Sequence, residues 1–326
     1  MSAMELDASS VPPRREGVLS IVVPVFCEEE NLAVAVPTLL ALETALDGLR
    51  VELVFVDDGS RDRSLQVLLE AQREHPERIV VVQLSRNFGS MAAVQAGFAH
   101  ATGDCVGVLS ADLQDPPELL VQMAGHWRSG VKAVFAVRSE REDSWAQRAF
   151  SSTYYRLFRR YAIADFPAGG FDLMLLDRQV VDELVAINEK NTHLMSLVFW
   201  LGHAHVMIPY VRRSRSLGQS KWTIGKKIKL FLDSFVAFSY APIRTLSVLG
   251  LVFALGAFLY GGLVFVEWFT HRTRVEGWTA LMIFISFTAG VQMTMLGVLG
   301  EYLWRTLDEV RRRPGYVIER VFRQPR

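Results

Sequence analysis

Cysteine is almost missing from this chain. Cys27 and Cys105 are the two among 326 residues. They fall in strand-to-loop stretches without metal-type spacing, which excludes both a disulfide framework and a thiolate zinc site. Net charge is missing too: 35 lysines and arginines balance 35 aspartates and glutamates, so no overall field calls for nucleic acid as a partner. The opening MSAMELDASSVPPRREG has no apolar core. That excludes a secretory signal peptide and reads as a disordered lead over residues 1–17. What the chain does have is apolar residues, 50% of the total and concentrated toward the C-terminus. Its length allows one soluble α/β domain plus something more.

Residues 18–25 (VLSIVVPV), 51–56 (VELVFV), 79–84, 105–109 and 131–137 (VKAVFAV) are short, β-branched apolar runs. Strands buried on both faces need such runs. Helical patterns alternate with them: one starts after Glu28–Asn31, one carries Leu65, Leu68 and Leu69 behind a Ser60 or Asp62 cap, and one is the small-residue MAAVQAGFAHA. The alternation predicts a parallel, doubly wound sheet. After Arg138 the rhythm breaks into a loop and a basic, aromatic helix over residues 139–161, a glycine turn at 168–172, then LMLLDR leading to another helix. Residues 205–211 are expected to form a last strand at the edge of the sheet.

Residues 245–269 carry one charged group, Glu267, and residues 278–300 carry none. About 20 apolar residues span a bilayer core, so the expectation is a transmembrane hairpin over 245–300 rather than two buried core helices. Lys226, Lys227, Lys229 and Arg244 precede it and Arg305, Arg311, Arg312 and Arg313 follow it, against Arg272 and Arg274 in the connection. That bias puts both ends, with the α/β domain, on the cytoplasmic side. Residues 223–244 include Ile224, Ile228, Phe231, Phe235 and Phe238 at helical spacing beside lysines. The pattern suits a helix lying in the bilayer interface, a reading that its place next to an apolar run favours over an ordinary core-packing helix. Residues 301–326 read as a cytoplasmic tail.

The stretch SADLQDPPE, residues 110–118, ends the fourth strand, at the edge where open α/β sheets bind ligands. Asp115, Pro116 and Glu118 are the residue types of a helix cap, first turn and capping box. Asp112 and Gln114 precede that cap and lack this explanation. A hard cation such as Mg2+ or Mn2+ takes oxygen ligands, few from protein and the rest from substrate phosphates; one carboxylate, one amide and a diphosphate meet that need. Asp57-Asp58-Gly59-Ser60 serves as well as a turn and cap as it does as a ligand site.

In combination PVFCEEENL, VDDGSRDRS, SRNFGSMAAVQAGF, SADLQDPPE, VRSERED, GGFDLMLLDR and RSRSLGQSKW, ahead of two apolar runs, resemble the family 2 glycosyltransferases that act on polyprenyl phosphates. Bacterial undecaprenyl-phosphate glucosyltransferases are the nearer in appearance and dolichyl-phosphate mannosyltransferases the more distant. The resemblance covers residue 18 to about residue 310. It implies a GT-A nucleotide-sugar domain over residues 18–222 and inverting transfer of one sugar from its nucleotide diphosphate, UDP-glucose first and GDP-mannose or a modified UDP-sugar as alternatives. The implied acceptor is undecaprenyl phosphate in the bacterial cytoplasmic membrane. By position it implies Pro24, Phe26, Glu28 and Asp57 around the nucleoside, with Asp58 behind them, and Asp112 and Gln114 at metal and diphosphate. Arg138 falls near the phosphates, and Arg212, Arg215, Ser220 and Lys221 at the lipid phosphate.

Three positions depart from the pattern. Cys27 replaces an asparagine of many relatives, and Ser110 replaces an aspartate that often opens the metal motif. Gly170 replaces an acid, leaving Asp172 as the available carboxylate for a base. Read without the resemblance, Arg212, Arg213 and Arg215 have a solvated or lipid-headgroup-binding patch as their lesser alternative. Two rival functions remain. A processive polysaccharide synthase is disfavoured by the lack of a Q-x-x-R-W element, and Ser110 and Gly170 leave room for a non-catalytic scaffold that binds nucleotide sugar. Gly256, Gly261 and Gly262 offer small-residue faces on which copies of the chain could pair.

Overall fold

The computed structural model describes residues 17–138, 173–187, 194–211, 241–271 and 277–324, with 156, 159, 160, 163, 166, 167, 171 and 189 between them. The lead, most of residues 139–172, and residues 212–240 with their expected interface helix lie outside the described residues.

The apolar runs form the strands foreseen for them. In chain order the elements are β1 (Gly17–Val25), α1 (Glu29–Ala41), β2 (Leu49–Asp57), α2 (Ser64–Glu74), β3 (Ile79–Leu84), α3 (Ser90–His100), β4 (Cys105–Val108), α4 (Leu119–Arg128) and β5 (Ala133–Arg138). There follow β6 (Leu173–Asp177), α5 (Arg178–Ile187), α6 (Leu194–Trp200), β7 (His205–Tyr210), α7 (Ala241–His271), α8 (Trp278–Val310) and β8 (Ile318–Phe322). Among the described residues eight strands make one sheet in the order β7-β5-β6-β4-β1-β2-β3-β8. Leu19, Ile21, Val22 and Val23 of β1, Phe55 of β2 and Val81 of β3 are wholly buried. Each such side chain contributes about 1.5–3 kcal/mol of burial. Gly97 lets α3 approach the sheet closely: a Cβ there would lie 2.2 Å from Val22 Cγ1.

The sheet is not all parallel. β1 runs parallel to β2 and β4, and β3 to β2, but β6 lies antiparallel between β4 and β5. The run LMLLD, expected only to lead into a helix, is this inserted strand. Four consecutive apolar residues carry no signal of direction, so the reversal is invisible in the pattern. β7 pairs in parallel with β5 at one edge, as expected. It is not the last strand, however: β8 pairs antiparallel with β3 at the other edge. The segment after α8 thus returns to the sheet. Arg323, just beyond β8, contacts Glu52 of β2 at 3.3 Å and donates to the His100 carbonyl.

The chain divides into two compact units, residues 1–227 with 314–326, and residues 228–313. In the second, α7 and α8 pack on each other: a Cβ on Gly250 would lie 2.8 Å from Met295 Cε, and the Phe253 and Phe287 rings are 5.7 Å apart. Among the described residues one helical stretch, Ile243–Leu263, is long and apolar enough to cross a membrane, with mean hydropathy 2.0. The second apolar run, residues 278–300, is helical within α8.

Candidate active site

The parallel strands end toward the same side of the sheet: Val25, the last residue of β1, stands opposite Asp57, the last of β2, and Val108, the last of β4, opposite Val22 of β1. The loops after β1, β2, β4 and β5 therefore share one edge, and Pro24, Phe26, Glu28, Asp57, Asp58, Asp112, Gln114 and Arg138 all lie on it or in the loops leaving it.

The first two loops are fastened together. The N–H groups of Cys27 and Glu28 donate to the hydroxyls of Ser60 (3.0 Å) and Ser64 (2.9 Å). The Arg63 N–H donates to Glu29 Oε2 at 2.8 Å, and the Glu29 N–H to Asp62 Oδ2 at 3.4 Å. Ser60 is therefore not the cap of α2. Asp62 comes closer to that role, accepting from the Ser64 N–H at 3.1 Å. Cys27 has φ 54, the left-handed region that asparagine tolerates best among residues with a Cβ.

Asp57 and Asp58 are 1% and 2% exposed. Burial raises the pKa of both. Their hydrogen bonds pull the other way without overcoming it: Ser60 N–H to Asp57 Oδ1 at 3.2 Å, and Phe88 and Gly89 N–H to Asp58 at 2.7 and 2.9 Å. Asp58 thus anchors the loop after β3, where the Arg86 guanidinium sits 4.0 Å above the Phe88 ring. Gly59, at φ 71, lies against that loop: a Cβ would fall 2.6 Å from the Arg86 carbonyl carbon.

The SADLQDPPE motif is a tight turn. Leu113 N–H approaches the Ser110 carbonyl at 3.3 Å, and Leu113 itself has φ 48, a conformation costing about 1–2 kcal/mol for a residue with a Cβ. Asp112 collects the bonds that hold it: its Oδ1 accepts from the Ser110 hydroxyl at 2.6 Å and from the Gln114 N–H at 3.3 Å. Ser110, which has no counterpart charge to offer, is a donor to Asp112. Asp115 is not a helix cap. α4 starts at Leu119 with Glu118 as its cap residue, and the carbonyls of Pro116, Pro117 and Glu118 each accept from the N–H three residues on. Asp115 is 4% exposed and accepts from the Tyr210 hydroxyl at 2.5 Å. Two consecutive prolines delay helix entry, and a buried tyrosine claims the carboxylate. Neither Ser64 nor Tyr210 was singled out in the sequence, where each reads as an ordinary polar end of an element.

Asp172, Arg212, Arg215, Ser220 and Lys221 lie outside the described residues. Among the described residues no cluster of three or more His, Cys, Asp or Glu could hold a metal by itself. Asp112 remains partly exposed, whereas Gln114 is 8% exposed. One partly exposed carboxylate fits a hard cation that would take most of its ligands from substrate phosphates.

Comparison with known proteins adds the family. The model of glycosyl transferase family 2 matches residues 20–184. An uncharacterised glycosyltransferase of Bacillus subtilis strain 168 is 36% identical, over 93% of this chain and 94% of its own. A prophage bactoprenol glucosyl transferase homolog of Escherichia coli K12 is 34% identical, over 93% and 99%. The SfII prophage-derived bactoprenol glucosyl transferase of Shigella flexneri is 34% identical, over 94% and 98%. A sheet edge assembled from the family's motifs and a likeness that runs nearly end to end lead to one conclusion: the chain is a glycosyltransferase and belongs to glycosyl transferase family 2.

Proposed function

We propose that the protein transfers one sugar, with inversion, from a nucleoside diphosphate sugar to a polyprenyl phosphate at the cytoplasmic face of a bacterial cytoplasmic membrane. UDP-glucose and undecaprenyl phosphate are the first pair to try. The observation that carries this reading is the extent of the likeness: 93% of this chain aligns with 99% of the bactoprenol-type homolog of E. coli, so the helical unit is included and not only the nucleotide-sugar domain.

The fold supports a membrane hairpin by connectivity. Residues on both sides of α7 and α8 belong to one sheet, so they occupy one side of any membrane. If α7 crosses, the chain has to cross back before β8, and the uncharged first part of α8 is the segment available. The basic bias of the flanks puts the sheet in the cytoplasm. Gly256, Gly261 and Gly262 of α7 face open space in a single chain, which leaves room for a second copy against that face.

The chemistry asks little of a base. A phosphate monoester has a second pKa near 6 and is mostly a dianion at neutral pH. One of its oxygens forms the bond to the anomeric carbon as the bond from that carbon to the diphosphate breaks; nucleoside diphosphate leaves with the electron pair, and no proton needs to move. The protein's task is to bring two anions together in line and screen them. The loops carrying Pro24, Phe26, Glu28 and Asp57 hold the nucleoside, and Asp112 with Gln114 would hold Mg2+ or Mn2+ against the diphosphate. Bound there, the cation would neutralise charge building on the leaving group. Arg138 lies beside the phosphates, and Arg212, Arg215, Ser220 and Lys221 take the acceptor phosphate, guanidinium groups binding it through paired hydrogen bonds.

The test is release of nucleoside diphosphate by detergent-solubilised protein, dependent on polyprenyl phosphate and on divalent metal. Asp112→Asn is expected to lower turnover about 100-fold or more. Turnover in that variant near the wild-type rate refutes the metal role, and nucleotide binding without transfer from any donor refutes the reaction.

A further inference from the structure

We infer that residues 314–323, which follow α8 in the chain, form a positioning strap for the donor side of the site: they hold the loop between β3 and α3 in the shape that receives the nucleoside diphosphate. The inference rests on the proposed use of this sheet edge for the donor. β8 lies antiparallel on β3, with Phe322 opposite Val81 and Ile318 opposite Leu84. The start of β8 therefore stands where β3 releases that loop. The register shifts by one between Gln83 and Leu84, with Glu319 the additional residue on β8, and a bulge of this kind bends a strand where pairing stops. Just beyond it the Ser85 N–H donates to the Val317 carbonyl at 3.0 Å. Tyr316, half-buried, lines a small cleft with Gln95 and Phe98 of α3 and Leu184 and Val185 of α5. At the far end Arg323, besides reaching Glu52, donates to the carbonyl of His100, the last residue of α3. The strap thus meets the loop that leads into α3, the middle of that helix and its final carbonyl.

Ser85, Arg86 and Asn87 are exposed, so this loop gains little from burial and takes its shape from hydrogen bonds and backbone contacts. Segments of that kind open locally before the core does. On the β2 side Asp58 accepts from the Phe88 and Gly89 N–H groups at 2.7 and 2.9 Å, and Gly59 lies against the Arg86 backbone. On the β8 side Val317 accepts from Ser85. The loop is clasped between Asp58, which adjoins the expected nucleoside pocket, and a segment supplied from the other end of the chain. A loop that holds the receptive shape for about a tenth of the time binds its ligand about tenfold more weakly. The nucleotide-sugar domain expected over residues 18–222 is then incomplete without residues from beyond the apolar helices.

The experiment titrates the full-length protein in detergent and Mn2+ with UDP and with GDP by calorimetry, beside a chain stopped after Arg313 and the double variant Tyr316→Gly/Val317→Gly. The double variant keeps β8 and Arg323 but removes the side chain beside α3 and adds backbone freedom at the carbonyl that holds Ser85. Its Kd for the nucleoside diphosphate is expected to rise about threefold, and that of the shortened chain about tenfold. Amide exchange in residues 85–92 should quicken in step, while exchange in β4 and β6 stays as in the wild type. A synthetic peptide of residues 314–324 added to the shortened chain should restore both, a recovery that a general loss of stability does not give. Weaker binding with unchanged exchange in residues 85–92 makes the strap a direct ligand of the nucleotide and overturns the inference. So does exchange that rises throughout the sheet of the double variant, which makes β8 a support of the whole fold. If the shortened chain does not fold, the double variant decides alone: faster exchange confined to residues 85–92 with weaker binding upholds the inference, and unchanged binding overturns it. A wild-type protein that binds no nucleoside diphosphate overturns the proposed function and this inference with it; wild-type binding beside an unaffected double variant overturns this inference alone.

Discussion

Asp58 stands behind the expected nucleoside pocket, and its contacts say what it does there. Both carboxylate oxygens are taken by backbone N–H groups of the loop after β3, from Phe88 at 2.7 Å and Gly89 at 2.9 Å, while its own N–H holds the Val25 carbonyl at 2.8 Å. One residue thus joins the ends of β1, β2 and β3. Asp58→Ala leaves two backbone donors without an acceptor, at about 1–3 kcal/mol each when buried. Phe88 and Gly89 are only half-buried, which lets water recover part of that. Removing a buried carboxylate whose pKa burial has raised offsets more. The net expectation is about 1–3 kcal/mol in the local opening of this loop, or about 5- to 150-fold in its opening equilibrium.

Amide hydrogen exchange on the full-length protein reads this directly. Peptides covering residues 85–92 should exchange faster by that factor in Asp58→Ala, and peptides from β4, β6 and α7 should not change. Asp58→Asn, which keeps one acceptor oxygen, should fall between. Nucleoside diphosphate affinity should drop in the same order, because the loop is loosened. Unchanged exchange with lost affinity refutes the argument and makes Asp58 a direct ligand of the nucleotide.

Asp57→Asn tests the companion residue. Its pKa is raised by burial from the ordinary 3.8, so the folded state holds its proton more tightly than the unfolded one. Stability from this group is greatest below the ordinary value and declines as pH rises through the raised one. Asn keeps the acceptor for the Ser60 N–H, so melting curves should show a protein more stable than wild type at neutral pH, with a flatter pH dependence above the ordinary value and weaker nucleotide binding; a lower melting temperature at pH 7 contradicts this. Glu52→Gln tests the opposite end of the sheet. Glu52 is 8% exposed and accepts from the Ser20 hydroxyl (2.5 Å), the Thr102 N–H and hydroxyl (2.8 Å each) and Arg323 (3.3 Å). A single amide oxygen cannot serve four donors, and the loss should be about 2–4 kcal/mol. Arg323→Ala, whose side chain is 31% exposed, should cost about 1 kcal/mol or less; equal urea midpoints for the two variants refute the ranking.

What the sequence made legible follows from which physical signals are local. The five runs from β1 to β5 are apolar enough to be strands wherever they occur, and the polar stretch that leaves the fourth places Asp112 at the ligand-binding edge, whereas Pro24, Asp57 and Arg138 are singled out only by the resemblance to a known family. Direction and partner are not local. LMLLD reads the same parallel or antiparallel, and IERVF looks like a tail until β3 is known to have a free edge. Asp115 illustrates the harder case, because its neighbours spell a helix cap correctly as residue types. The cap is displaced by a hydroxyl 95 positions away, and no window on the sequence weighs Tyr210 against Pro116. Ser110 lies between these cases. Its departure from the pattern that the resemblance implies is visible in the sequence, and with it one charge fewer at the proposed metal turn. That the hydroxyl would be spent holding Asp112 Oδ1 required the left-handed turn at Leu113. A serine that stiffens the remaining carboxylate is a different answer to the same problem that a second aspartate solves by adding charge. The proposed cation at such a turn would depend more on the diphosphate, and donor and metal should accordingly bind with strong mutual dependence.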